Sequence, residues 1–176
     1  VERITQKGVV AGGKEYEVDC IIFATGFEVG TSYVRRSGYE VTGLDGINLS
    51  DKWAEGMRTL HGVMTSGFPN LFIISNSQAG FTTNFPHAMD ETSQHIGYIL
   101  NECRKDNLAS IDVEKEAEDK WVKEIIGVSR FASDFQESCT PGYYNNEGKP
   151  NPKSVQNGPY GKGSRPYFRI TAAWRE

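Results

Sequence analysis

Apolar and polar positions follow different rhythms along this chain, and each rhythm predicts its own kind of element. Residues 4–10 and 14–17 flank Ala11, Gly12 and Gly13, a pattern that predicts a β-hairpin turning at the glycines. The next run, Val18-Asp19-Cys20-Ile21-Ile22-Phe23-Ala24, is apolar on both faces apart from Asp19. Such a run predicts a strand buried in the middle of a sheet covered by helices, hence an α/β fold. A second run, Leu71-Phe72-Ile73-Ile74, follows the turn Gly67-Phe68-Pro69-Asn70 and predicts another buried strand. Between them lie a short strand candidate, Tyr39-Glu40-Val41, and a short helix candidate at residues 50–53.

Past a loop of small and polar residues at 75–83 the period changes to that of a helix. Met89, Ile96, Ile99, Leu100 and Cys103 fall near one face of a helix predicted over 89–104. Val113, Ala117, Trp121, Val122, Ile125 and Ile126 form the stripe of a second helix over 113–128, with Glu114, Lys115, Glu118 and Lys123 outside. Residues 138–166 are rich in Gly, Pro, Asn and Tyr and predict a long loop region, a kind of segment that is more often functional than neutral. A last helix is expected over 167–175.

Composition narrows the class. With 38% hydrophobic and 24% charged residues, the 176-residue chain can fold around a core. A net charge of −4 without a basic stripe argues against nucleic acid. No apolar run approaches the ~20 residues that cross a membrane. Cys20, Cys103 and Cys139 are odd in number and far apart, which predicts free thiols, a cytoplasmic setting and no zinc site. Val1-Glu2-Arg3-Ile4 does not read as a signal peptide or a native start.

The chemistry expected of residues 19–27 is that of a strand end delivering small residues to a ligand. Ala24 and Gly26 lack bulk, and ligands of open α/β sheets sit beyond the carboxyl ends of strands. An ordinary strand ending in a glycine turn explains the same residues. Other candidates carry less. Gly158-Pro159-Tyr160-Gly161-Lys162-Gly163 does not spell GxGxxG and follows no strand, and Gly12-Gly13-Lys14 sits in a hairpin. Ser66, Ser75 and Ser77 have no paired His and Asp in a recognisable frame. His61, His87 and His95 are scattered, so single structural or surface roles are expected, with His87 beside the candidate loop the one to follow.

Five segments, in order, resemble the class B flavoprotein monooxygenases of the Baeyer–Villiger type. Asp19-Cys20-Ile21-Ile22-Phe23-Ala24-Thr25-Gly26-Phe27 is similar to the family's D-x-[I/V]-[I/V]-x-A-T-G-[F/Y] motif. Thr65-Ser66-Gly67-Phe68-Pro69-Asn70-Leu71-Phe72 resembles its GFPNLF strand entry. Gln78-Ala79-Gly80-Phe81-Thr82-Thr83-Asn84-Phe85-Pro86 is similar to a Q-G-P-F-T-N-L-P stretch, with one extra residue before the Asn. Cys139-Thr140-Pro141-Gly142-Tyr143-Tyr144-Asn145-Asn146 resembles the substrate-side segment, and residues 167–176 resemble the penultimate helix.

The resemblance implies the closing part of an FAD-binding, two-dinucleotide-domain, Rossmann-like fold with C-terminal helices. Residues 1–27 would cross from the NADPH domain to the FAD domain, and 28–176 would complete the FAD domain. It implies FAD and NADPH as cofactors, and insertion of one oxygen atom of O₂ beside a ketone carbonyl to give an ester or lactone. Ala24, Thr25, Gly26 and Phe27 would lie near the cofactors, and Thr83, Asn84 and Phe85 would pass over the flavin ring. Phe81, Thr82, Thr140, Tyr143 and Tyr144 would line the substrate side. Many relatives carry a Trp near Thr140, where this chain has Thr140-Pro141, which implies a differently shaped pocket. No catalytic residue and no metal ligand is assigned. The chain has no GxGxxG after a strand, so the N-terminal FAD and NADPH domains are expected upstream and the isolated chain is expected to be inactive and to self-associate. Two other readings remain: an N- or S-oxygenating flavin monooxygenase, and a non-catalytic binding module.

Overall fold

In a computed structural model of the chain, residues 1–24, 33–129 and 155–176 are described, apart from the Arg36 side chain. The chain opens with a three-stranded antiparallel sheet of β1 (Arg3–Ile4), β2 (Gly8–Ala11) and β3 (Lys14–Glu17), in that order. Val9 pairs with Tyr16 and Val10 with Glu15. Gly12 and Gly13 both have positive φ, 59° and 73°, as the tightest hairpin turns require. The glycine turn is where the sequence predicts it, but the single strand expected over 4–10 is broken by a turn in which Thr5 N–H donates to Gly8 O at 2.9 Å, so Ile4 falls in β1 and pairs with Val9, and Ala11 belongs to β2.

The two expected central strands are not strands. After β3 the chain runs through residues 18–24 without sheet partners, and Ile22 (84% exposed) and Phe23 (73%) point into solvent. A strand exists only by pairing, and apart from Val18 N–H, which donates to Lys7 O at 3.0 Å, this segment bonds to no neighbouring strand among the described residues. Residues 71–74 are likewise extended without a ladder. Ile73 N–H donates to Val63 O at 2.8 Å, but Ile74 is exposed. The strand candidate at 39–41 reduces to an isolated bridge between Thr42 and Asn48.

The helices follow their stripes except at Leu100 (50% exposed) and Ile126 (48%), which fall outside the buried faces. Two short ones, α1 (Tyr33–Ser37) and α2 (Leu49–Lys52), precede α3 (Phe85–Lys105), α4 (Lys115–Val128) and α5 (Ser164–Trp174). α3 starts four residues earlier than its apolar stripe. Asn84 caps it, its side chain accepting from His87 N–H at 3.3 Å, and Pro86 sits in the first turn, where a missing N–H costs nothing. Ala88, Thr92, His95 and Ile99 form its buried face, and α3 packs against α5.

Two apolar clusters make the core. Ala79, Trp121, Ile125, Tyr160 and Tyr167 bring α4 and α5 onto the loop after residue 75. Val63, Met64, Ile99 and Val113 join α3 to the segment after α2, and Leu60 packs on both clusters.

Candidate functional site

The tight turn Leu60-His61-Gly62-Val63 has both central residues in the left-handed region, φ 52° and 69°. It turns the His61 ring inward. His61 lies 5.6 Å from His95 and edge-on to Trp121 (4.9 Å) and Trp174 (6.0 Å). Nδ1 of each histidine is buried without a partner. Burial holds both imidazoles down at about 4, helped by each other's proximity for His61 and by Arg175 for His95. A cavity of about 230 Å³ opens beside them, lined by Leu60, Met64, Ile99, Val113 and Trp174. The sequence treats the two histidines as scattered because nothing in a separation of 34 positions marks them as neighbours.

Beside this turn, Gln78 fixes the loop that precedes α3. It is fully buried, with φ 57°. Its Oε1 accepts from Thr59 N–H (3.1 Å) and Thr59 Oγ1 (2.6 Å). Its Nε2 donates to Met57 O and to Gln156 O (3.0 Å). The main chain is held too: Gln78 N–H donates to Gly158 O at 2.8 Å, and Trp121 Nε1 donates to Gln78 O at 3.1 Å. Ala79 O then accepts from Tyr160 N–H at 2.9 Å. Gly80 lies against the Tyr167 and Phe168 rings, where a Cβ would come within 2.6 Å of Tyr167 Cδ1 and 2.9 Å of Phe168 Cε1.

From Gly80 the chain leaves the core. Phe81 is 51% exposed, Thr82 half-buried, and Thr83, Asn84 and Phe85 exposed. The N–H groups of Thr83 and Phe85 have no partner among the described residues, whereas Asn84 N–H donates to Thr82 Oγ1 at 3.3 Å. Thr83 and Phe85 thus leave two free donors at the N-terminus of a 21-residue helix, the end that favours electron-rich atoms. His87 lies on the surface, edge-on to Phe168 at 5.2 Å. Ala24 is exposed. Thr25, Gly26, Phe27, Thr140, Tyr143 and Tyr144 lie outside the described residues. The structure therefore brings Phe81 through Phe85 together as one presented loop. Neither Ala24 nor that loop lines the cavity beside the histidines or the hollow of about 510 Å³ around Phe72, Cys103 and Leu108.

A buried charge cluster gathers around α4. Glu118 of α4, 1% exposed, accepts from Lys52 Nζ (2.9 Å), Thr65 Oγ1 (2.8 Å) and Ser66 N–H (2.9 Å). Arg58 pairs with Glu118 at 3.5 Å and with Asp119. A helix-stripe reading puts Glu118 on the solvent side. The structure turns it inward, because donors of Lys52, Arg58, Thr65 and Ser66 converge on it.

No family model matches the chain. It is 46% identical over 178 residues to neopentalenolactone D synthase of Streptomyces avermitilis, covering all of this chain and 30% of that protein. It is 40% identical to the FAD-binding monooxygenase hmp7 of Hypomyces subiculosus (all of this chain, 29% of the relative). It is 39% identical to a Baeyer–Villiger monooxygenase of Streptomyces coelicolor, again over all of this chain and 29% of the relative. Among solved structures, polycyclic ketone monooxygenase from the fungus Thermothelomyces thermophila superposes with a TM-score of 0.80 at 32% identity, over 98% of this chain and 28% of that one. A structure of OTEMO in complex with FAD and NADP superposes with a TM-score of 0.61 at 27% identity, over 70% of this chain and 23% of that one. The chain spans about 30% of the length of the curated relatives it matches.

Proposed function

We infer that this chain, homologous throughout to one stretch of the Baeyer–Villiger monooxygenases and sharing that part of their α/β fold, is the closing part of such an enzyme. The whole protein is an FAD- and NADPH-dependent monooxygenase that inserts one oxygen atom of O₂ beside a ketone carbonyl. Residues 1–27 form the crossing from the NADPH domain, and 28–176 complete the FAD domain.

The observation that carries this reading is the loop from Phe81 to Phe85, anchored at Gln78 and Gly80 and presented at the N-terminus of α3. Its unpaired N–H groups at Thr83 and Phe85 fit the carbonyl oxygens of an isoalloxazine ring. Ala24, Thr25, Gly26 and Phe27 approach the cofactors from the crossing, Asn84 holds the helix start, and Phe81, Thr82, Thr140, Tyr143 and Tyr144 wall the substrate side. FAD supplies the oxygen-activating chemistry when bound. The residues of this chain orient it and keep water out, and none acts as a general acid or base. Exposed Ile22 and Phe23 are the apolar face that the rest of the sheet covers in the whole enzyme.

The test is purification of the full-length protein followed by oxidation of a cyclic ketone with NADPH in air. A yellow protein that forms lactone, with NADPH consumed in step, is expected. A colourless protein overturns the reading, and oxygenation of tertiary amines or sulfides with ketones untouched turns it towards the N- or S-oxygenating type.

A further inference from the structure

The geometry points to Gln78 as a positioning residue for oxygen transfer, acting through the loop it anchors rather than by touching cofactor or substrate. The inference rests on the monooxygenase reading above. Both lone pairs of the Gln78 carbonyl are taken by Thr59 and both amide hydrogens by Met57 O and Gln156 O. Its main-chain N–H and C=O are taken by Gly158 and Trp121. An amide with every hydrogen-bonding site used, in a fully buried position, admits one orientation only.

The backbone at Gln78 is left-handed, a conformation that a side chain this long adopts only where its surroundings over-determine it. Three residues later the chain is in solvent at Phe81. Between them only Ala79 and Gly80 intervene, held by Tyr160 N–H and by the close approach of Gly80 to the Tyr167 and Phe168 rings. The direction in which Phe81, Thr82 and Thr83 emerge is therefore set at Gln78. Segments 57–59, 121 and 156–158 meet there: the side chain ties 57–59 and 156 to the start of the loop, and the main chain of the same residue adds 121 and 158.

Gln78→Met keeps the volume and removes all four side-chain bonds. Gln78→Glu keeps the shape but turns an acceptor towards Met57 O and Gln156 O. In the full-length enzyme both variants are expected to retain flavin while ester formed per NADPH oxidised falls roughly ten- to a hundredfold, because a displacement of about 1 Å at a reacting centre can cost up to about a hundredfold. The circular dichroism of the flavin bands is expected to change with it. Ile125→Val, in the same core, is the control for lost stability alone. It should lower the melting temperature and leave both readouts as in wild type. Should Gln78→Met not fold, Thr59→Val removes a single donor to the same amide, and Thr59→Ser should restore the coupling.

Unchanged coupling and flavin dichroism in the folded Gln78 variants, or in Thr59→Val, overturn the inference. So does an equal loss in Ile125→Val, which would reduce Gln78 to a general structural role. A wild-type protein without flavin removes the monooxygenase reading itself, whereas a yellow, coupled wild type with unaffected variants removes only the role of Gln78.

Discussion

His61 and His95 lie 5.6 Å apart, ring to ring, with the Trp174 indole edge-on to both and no hydrogen-bond partner at either Nδ1. Two imidazoles at this distance, in apolar surroundings and beside Arg175, fold as neutral rings.

Acid should therefore loosen this core. Both groups have folded-state values near 4, below the ordinary 6.5, so the unfolded chain binds more protons in between. Their contribution is complete above pH 6.5 and is lost as pH falls towards 4. Besides Arg175, the charged groups at the adjoining cavity are Asp112 and Glu114. Urea denaturation across that interval is expected to show a loss of about 3 kcal/mol for each ring. The double substitution His61→Gln with His95→Gln should remove most of the slope, and an unchanged slope would assign it to carboxylates elsewhere.

Glu118 is predicted to be the most sensitive charge in the described residues. Glu118→Ala strands Lys52 and the buried donors of Thr65 and Ser66, and should cost about 3–5 kcal/mol in chemical denaturation. Glu118→Gln keeps some of these bonds and should fall between the variant and wild type.

Gly161 touches the end of α4 so closely that an added Cβ would sit 1.8 Å from Val128 O. Backbone atoms on both sides must move, so Gly161→Ala should destabilise by about 3 kcal/mol. A melting temperature equal to wild type would show that this contact is looser than described.

Exposure of Ile22 and Phe23 makes opposite forecasts for two forms of the protein. In the 176-residue chain, Ile22→Asp with Phe23→Asp should reduce self-association in light scattering and leave the melting temperature within about 1 °C, as surface changes do. In the full-length enzyme the same pair should prevent assembly of the sheet and abolish soluble expression. Equal tolerance in both forms would mean that this segment is never covered.

The helices and the hairpin were legible because their signals are local. Ile96, Ile99, Trp121 and Ile125 repeat at helical spacing, and two consecutive glycines prescribe the turn at Gly12. The apolar runs at 18–24 and 71–74 were legible as buried material but not as strands of this chain, since pairing depends on neighbours the run itself does not encode. The third motif, with Asn84 at its helix cap, was visible as a resemblance. The anchoring role of Gln78 was not, because a buried glutamine inside a polar loop looks like any other polar residue until its partners at 57, 59, 121, 156 and 158 are brought together. Glu118 was misplaced on the outside for the same reason.

The Tyr167 hydroxyl donates to His61 O at 2.6 Å across 106 positions of sequence. On a ribosome adding about 5–20 residues per second, the turn at His61 waits on the order of ten seconds for the ring that closes over it. Through that interval the histidine pair and Trp121 lack the rings of Tyr167 and Trp174, so vectorial synthesis leaves this apolar surface uncovered until α5 has emerged.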